Sequence, residues 1–295
     1  MKPKASRKLI EPFRVNNGRK FRLKDIDPNE AGSKGLEERA DALLAEGIAR
    51  MRDLQARLYA QNEWALLLIF QAMDAAGKDG TIKHVMGGID PTGVQVFSFK
   101  QPSTEELDHD FMWRCLKALP ERGRIGIFNR SYYEETLVVR VHPEYLASQH
   151  LPDAVTGKKI WAHRFEDINA VEKYLSRNGV VIRKFFLHVS KDEQRKRFLE
   201  RLDRPDKNWK FSAADLKERD RWDDYMHCYE EMIRETASPH APWFVVPANH
   251  KWFTRLVVAN AIIDAMDELD LQFPVVDAAK RAELQKLRRG LARKK

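Results

Sequence analysis

Apolar residues along this chain fall into short solid runs separated by longer amphipathic stretches. "LEERADALLAEGIARMRDLQARLYA", residues 36–60, carries apolar positions at helical spacing and predicts a long helix. "WALLLIFQAM" is a compact apolar run that stops at a glycine-containing loop, the pattern of a buried parallel strand. "DGTIKHVMGGI" then predicts a helix, and "VQVFSF" alternates as a second strand would. Ser103 and Glu106 have capping-box spacing ahead of a helix in "LDHDFMWRCLKAL". "RIGIFN" predicts a third strand, followed by the loop "RSYYEE". A helix over residues 161–177 leads through Gly179 to a fourth strand, "VVIRKFFLHV". Ser190 and Glu193 form another capping-box pattern at the start of "SKDEQRKRFLERL". "RPDKNWKFS" breaks that helix, and Ser212 opens a long one to Thr236. "APWFVVPAN" supplies a fifth strand and "KWFTRLVVANAIIDAMDEL" a closing helix.

Strands that alternate with helices predict a doubly wound α/β domain, a three-layer sandwich with a parallel sheet. The helix pair over 190–236 lies between strands four and five, where a lid can be inserted. The chain divides into a basic N-terminal arm (1–35, with "PNEAGSKG" as linker), a domain over 36–270 and a basic C-terminal tail (271–295). There is no internal repeat and no low-complexity block.

At 43% hydrophobic and 10% aromatic residues the chain can fill a sizeable core. Its longest apolar run, Ala65 to Phe70, is far too short to cross a bilayer, so no membrane association is expected. The opening "MKPKASRKLIEPF" lacks an apolar core, so no export signal is expected. Cys115 and Cys228, far apart in sequence, suit a reducing compartment, and a cytoplasmic location is expected. The net charge of +8 is uneven. Residues 1–24 hold nine Lys and Arg against one acid, and residues 280–295 hold eight against one. The body between them is mildly acidic, which argues against a nucleic-acid-binding body and leaves any anion site to a local cluster.

One such cluster is "DAAGKDG", Asp74 to Gly80, which nearly spells the phosphate-binding pattern G-x-x-x-x-G-K-[ST]. An ordinary strand-to-helix turn also uses Gly and Asp. The buried strand before it and the helix after it favour the phosphate loop, with backbone N–H groups facing the anion and Lys78 reaching terminal oxygens. Ala75, Ala76, Gly77, Asp79, Gly80, Thr81 and Lys83 are then candidate phosphate contacts. Asp74 and Asp79 put two carboxylates into the loop, which suits a hard divalent cation. For Asp79 a plain helix-capping role competes equally. At the end of strand three, where a Walker-type strand usually carries Asp, the residue is Asn129. Arg130 follows, either as a catalytic or phosphate-clamping arginine or as a surface arginine paired with Glu134 or Glu135. Arg197, Arg201 and Arg204 fall on one helix face, and Lys207 and Lys210 extend the positive run; a solvated face or a phosphate-clamping lid both fit, and the nearby loop favours the lid.

The chain resembles the second family of polyphosphate kinases, the polyphosphate:nucleotide phosphotransferases. The resemblance rests on five ordered segments spanning about 36–270: "QAMDAAGKDGTIKHV", "GIFNRSYYEE" with "VVRVHPE", "FFLHVSKDEQRKRFLERL", "NWKFSAADLKERDRWDDY" and "APWFVVPANHKWFTR". It implies a P-loop kinase fold of thymidylate-kinase type with a helical lid, a requirement for Mg²⁺ (or Mn²⁺), and reversible transfer from polyphosphate to AMP and ADP. By position it makes Lys78 the contact to the transferred phosphate, Asp74 a metal holder and Arg130 the charge stabiliser. Arg197, Arg201 and Lys210 would face the phosphate chain. Asn129, Glu134 and Arg140 are candidate nucleotide contacts, and the Asn129 spelling resembles the subgroup that phosphorylates both mono- and diphosphates. Guanine nucleotides are a further expected class of acceptor, and a homo-oligomer is expected. The alternatives are an ATP-using nucleotide kinase, separated by donor choice, and a polyanion-binding protein acting through its basic tails.

Overall fold

The computed structural model describes residues 3–293 and holds a six-stranded sheet. In chain order the strands are β1 (Arg14–Val15), β2 (Ala65–Gln71), β3 (Val94–Ser98), β4 (Ile125–Asn129), β5 (Val180–His188) and β6 (Trp243–Pro247). Their order in space is β1-β6-β5-β2-β4-β3, and all pairs are parallel except β1 with β6. β2 is buried along its whole length between β4 and β5, which is why its sequence is a solid apolar run. Each fully buried Leu or Ile there contributes about 1.5–3 kcal/mol.

The helices of the first half are α1 (Pro3–Ile10), α2 (Ala40–Gln61), α3 (Lys78–Met86), α4 (Thr104–Leu107), α5 (Trp113–Leu116), α6 (Val138–Val141) and α7 (Pro143–Ala147). Those of the second half are α8 (Ile160–Arg177), α9 (Lys191–Asp203), α10 (Ala213–Asp220), α11 (Trp222–Thr236), α12 (Lys251–Asp267) and α13 (Ala278–Arg293). On one side of the sheet α12 packs against α1, α2 and α3. On the other α8 packs against β5 and α11. Adjacent β5 residues reveal the two sides: Arg183 reaches Glu268 past the end of α12, whereas Lys184 reaches Glu172 on α8. The predicted three-layer sandwich with a parallel sheet is the observed fold. Among the described residues no helix is long and apolar enough to cross a membrane.

Several local expectations need correction. The N-terminal arm is docked: Ser6 Oγ donates to Asn260 Oδ1 at 2.6 Å and Arg7 Nε to Asp264 Oδ1 at 2.7 Å, both on α12. Ile10 and Phe13 are buried, and β1 adds an antiparallel edge strand too short for periodicity to reveal. The predicted helix over 107–119 is two short helices. The Ser103–Glu106 capping box is present, but Asp110 Oδ1 accepts from Met112 N at 2.9 Å and turns the chain between them. At Ser190 only half the box forms, because Glu193 Oε1 accepts from Arg197 Nε at 2.8 Å instead. The helix expected from Ser212 to Thr236 breaks at Arg221, since α10 buries no residue whereas α11 buries Trp222, Tyr225, Tyr229 and Met232. The loop "RSYYEE" contains a 3₁₀ turn, Tyr132–Thr136. Much of the basic C-terminal tail is the exposed helix α13.

Candidate active site

β2 ends at Gln71 and the chain turns through Asp74–Gly77 into α3. Gly77 is the N-cap at φ 105°, a region that glycine enters freely. Ala75 also has positive φ, 62°, which costs a non-glycine residue about 1–2 kcal/mol. Lys78 is the first residue of α3, its side chain is buried, and its Nζ donates to Ala72 O at 2.8 Å. Burial holds the ammonium below the usual lysine value, and the Arg130 charge pushes the same way. The N–H groups of the first turn of α3, at Lys78, Asp79 and Gly80, precede the first intrahelical bond (Thr81 N to Gly77 O, 2.9 Å) and make the loop an anion cradle. Because Gly77 is the N-cap, Asp79 does not cap the helix; its Oδ1 accepts from Asn129 Nδ2 at 2.8 Å. Lys83 lies exposed in the last turn of α3, away from the cradle.

β4 delivers the second part. Arg130 leaves the strand at φ 65°, and its N–H donates to Phe70 O at 3.0 Å, locking it beside the end of β2. Its Nη2 lies 3.1 Å from Asp74 Oδ1. Glu134, first, and then Asp74 hold the guanidinium pKa above its ordinary value. Arg130 is thus a cation between the loop and the turn Tyr132–Thr136. It forms one wall of a pocket of ≈ 250 Å³, together with Phe99, Gln101, Arg114, Glu134 and Tyr145. Arg140 is turned away from this pocket: its Nη2 pairs with Glu231 Oε2 on α11 at 2.7 Å. Asn129 likewise faces Asp79 and Ser98 rather than lining the pocket.

The predicted arginine face of α9 separates into unlike parts. Arg197 is buried and every donor atom of its guanidinium is used. Nη1 bonds Ala75 O and Ala76 O at 3.2 and 2.8 Å, and Nη2 bonds Ala248 O and Asn249 O at 2.6 and 2.9 Å. The expectation of an open arginine row therefore fails at Arg197, because the loop's carbonyls draw it inward. Arg201 is half-buried and reaches toward Asp215 on α10 at 3.8 Å. Arg204 pairs locally with Asp206, and Lys207 is exposed. The side chain of Lys210 lies outside the described residues.

The profile of the family Polyphosphate kinase 2 (PPK2) matches residues 35–274. The chain belongs to the polyphosphate kinase 2 family. It is 53% identical over 284 residues to the ADP-polyphosphate phosphotransferase of Rhodopseudomonas palustris, covering 95% of this chain and 97% of that one. It is 41% identical over 271 residues to the AMP/ADP-polyphosphate phosphotransferase of Meiothermus ruber, covering 92% and 97%. The crystal structure of polyphosphate kinase 2 from Arthrobacter aurescens TC1 superposes with a TM-score of 0.85 at 42% identity, covering 94% and 96% of the two chains.

The divalent cation expected from the sequence would need oxygen donors beside the loop. Among the described residues no cluster of three or more His, Cys, Asp or Glu side chains is poised to hold one. Asp74 and Asp79 nevertheless fit Mg²⁺, which keeps most of its waters and takes one or two carboxylates plus substrate phosphates. Asp74 is part-exposed, Asp79 exposed, and in each the bond just described uses Oδ1. Periodicity and motif missed Gln194, whose Nε2 donates to the loop carbonyl of Asp74 at 3.0 Å. They also missed Arg164, which with Gln149 holds the buried Glu135 beneath the pocket. The cation Lys184 inside an apolar strand was a readable signal, since lysine is almost never fully buried unpaired.

Proposed function

We propose that this chain transfers the terminal phosphoryl group of inorganic polyphosphate to AMP and ADP, in a reversible, Mg²⁺-dependent reaction. The observation that carries the reading is the clustering of Lys78, Asp74 and Arg130, with Arg130 also forming a wall of the pocket of ≈ 250 Å³, in a chain of this family. The nucleotide occupies the pocket walled by Phe99 and Glu134, with its terminal phosphate toward Arg130. The polyphosphate end enters the loop cradle. An oxygen of the nucleotide's last phosphate bonds to the terminal phosphorus of the chain. The bridging P–O bond breaks, and its electron pair stays on a polyphosphate one unit shorter. One phosphoanhydride is made as another is broken, so the step is close to balanced and runs both ways.

The protein's part is positioning and charge. Lys78 and the N–H groups of α3 hold the transferred group, and Arg130 sits where its equatorial oxygens gather charge. Asp74 and Asp79 would hold Mg²⁺ or Mn²⁺, which neutralises phosphate charge. Arg201, Arg204, Lys207 and Lys210 offer positive charge to the remaining chain. The relatives support the acceptor choice unevenly, since the R. palustris protein is named for ADP and the M. ruber protein for AMP and ADP. The Asn129 spelling, which resembles the subgroup acting on both mono- and diphosphates, favours the broader range.

A donor-by-acceptor panel tests this. Purified protein with Mg²⁺ and polyphosphate should convert AMP to ADP and ADP to ATP, with guanine nucleotides as a further arm. Activity with ATP as sole donor and none with polyphosphate would instead select a conventional nucleotide kinase.

A further inference from the structure

Two residues in the strand "VVIRKFFLHV" are cationic, and one of them, Lys184, is 0% exposed in mid-strand on β5. A buried ammonium needs a full set of partners. Lys184 Nζ donates to Glu172 Oε2 at 2.6 Å, to Thr236 O at 2.8 Å and to Tyr133 Oη at 2.9 Å. Glu172, also 0% exposed, accepts at Oε1 from Tyr132 Oη at 2.9 Å and from Tyr133 Oη at 2.7 Å. The Lys184 ammonium further sits 5.4 and 5.2 Å from the rings of Tyr133 and Trp243.

The two phenols belong to the turn that carries the site. Tyr132 and Tyr133 follow Arg130 and Ser131, and Glu134 comes next. Arg130 has the strained positive φ, and Ser131 Oγ accepts from Tyr133 N at 3.2 Å. A side chain leaving such a residue keeps its aim only if the backbone after it is fixed. Here two of the turn's buried side chains, Tyr132 and Tyr133, end on one carboxylate, and one ammonium fixes that carboxylate. Hydrophobic packing alone would bury the rings without setting the depth or rotation of their hydroxyls.

We propose that the Lys184–Glu172 pair is a positioning device for phosphoryl transfer, holding Arg130 and Glu134 on aim through the phenols of Tyr132 and Tyr133. The inference rests on Arg130 being the charge-stabilising residue of the proposed reaction. It separates stability from aim. Replacing a buried ion pair by apolar residues of like volume is often neutral for stability, yet it would release both phenols.

The test compares wild type, Lys184→Met/Glu172→Leu and Tyr132→Phe/Tyr133→Phe, each assayed for melting temperature, kcat and both KM values with polyphosphate and ADP. The expected result is a fall in kcat of about 10- to 100-fold for both variants, with each KM within about twofold of wild type. The phenylalanine variant keeps the ion pair and the ring packing, so it reports even if the apolar pair does not fold. Wild-type kcat in the phenylalanine variant, or losses no larger than its unfolded fraction, would overturn the proposal. A wild-type protein with no polyphosphate-dependent turnover would instead overturn the functional reading beneath it.

Discussion

Around the phosphate loop, Lys78, Arg197 and Arg130 are each held in place by close partners. Lys78 bonds Ala72 O, Arg197 gathers four backbone carbonyls and a glutamate, and Arg130 pairs with Asp74. Around residues 204–207, just past α9, the charges instead face solvent. Arg204 pairs with its near neighbour Asp206, and Lys207 is exposed. Both regions are basic in sequence and read alike there. On the proposed reading, charge near the reacting phosphorus is fixed in advance, where misplacement is costly. Charge offered to the rest of a flexible polyanion would then stay in solvent, where it attracts without fixing geometry.

The comparison breaks most sharply at the fixed cations. Lys78→Ala and Arg130→Ala should each lower kcat by about 10³-fold or more, while circular dichroism and the melting curve stay close to wild type. Loss of folding would move these residues from chemistry to scaffold. A second contrast sets Arg197→Lys against Arg204→Ala. The lysine keeps the charge but not the fork, leaving loop carbonyls unpaired, so denaturant unfolding should register a loss of about 2–4 kcal/mol. Arg204→Ala should leave stability within about 0.5 kcal/mol and raise the KM for polyphosphate about 2- to 5-fold, an effect that shrinks as salt rises. Equal stability losses in the two variants would erase the distinction.

A pH-dependent effect concerns His188 at the end of β5. Burial pushes its imidazole down to about 4 from an ordinary 6.5, with Asp27 opposing weakly. The unfolded chain therefore binds a proton that the folded chain refuses. Stability is complete above pH 6.5 and is lost as pH falls toward 4, by about 2–3 kcal/mol in all. Urea unfolding at several pH values should show this slope, and His188→Asn should flatten it. A His188→Asn protein with the wild-type slope would assign acid sensitivity to other groups.

Much of this was legible in the chain itself. The apolar run of β2 and the Gly77–Lys78 pair that follows it placed the loop, because a buried parallel strand and a helix start leave strong local marks. The tight Arg130 turn was legible only as a position, not as a positive φ. The docking of the N-terminal arm was not legible, since β1 is two residues long and α1 is held by partners some 250 residues away, in the Ser6–Asn260 and Arg7–Asp264 bonds. Helical spacing put Arg197, Arg201 and Arg204 on one face but could not say that the first of them turns inward to the loop. That depends on carbonyls of Ala75, Ala76, Ala248 and Asn249, which side-chain patterning does not encode.

The central claim is that polyphosphate is the phosphoryl donor and that Lys78 handles the transferred group. ³¹P NMR of the purified chain with polyphosphate, Mg²⁺ and ADP tests both at once. The expected result is growth of the ATP β-phosphate signal, matched by loss of polyphosphate, in wild type and not in Lys78→Ala. A wild-type sample that forms no ATP, or a Lys78→Ala sample that forms it at the wild-type rate, would contradict the account.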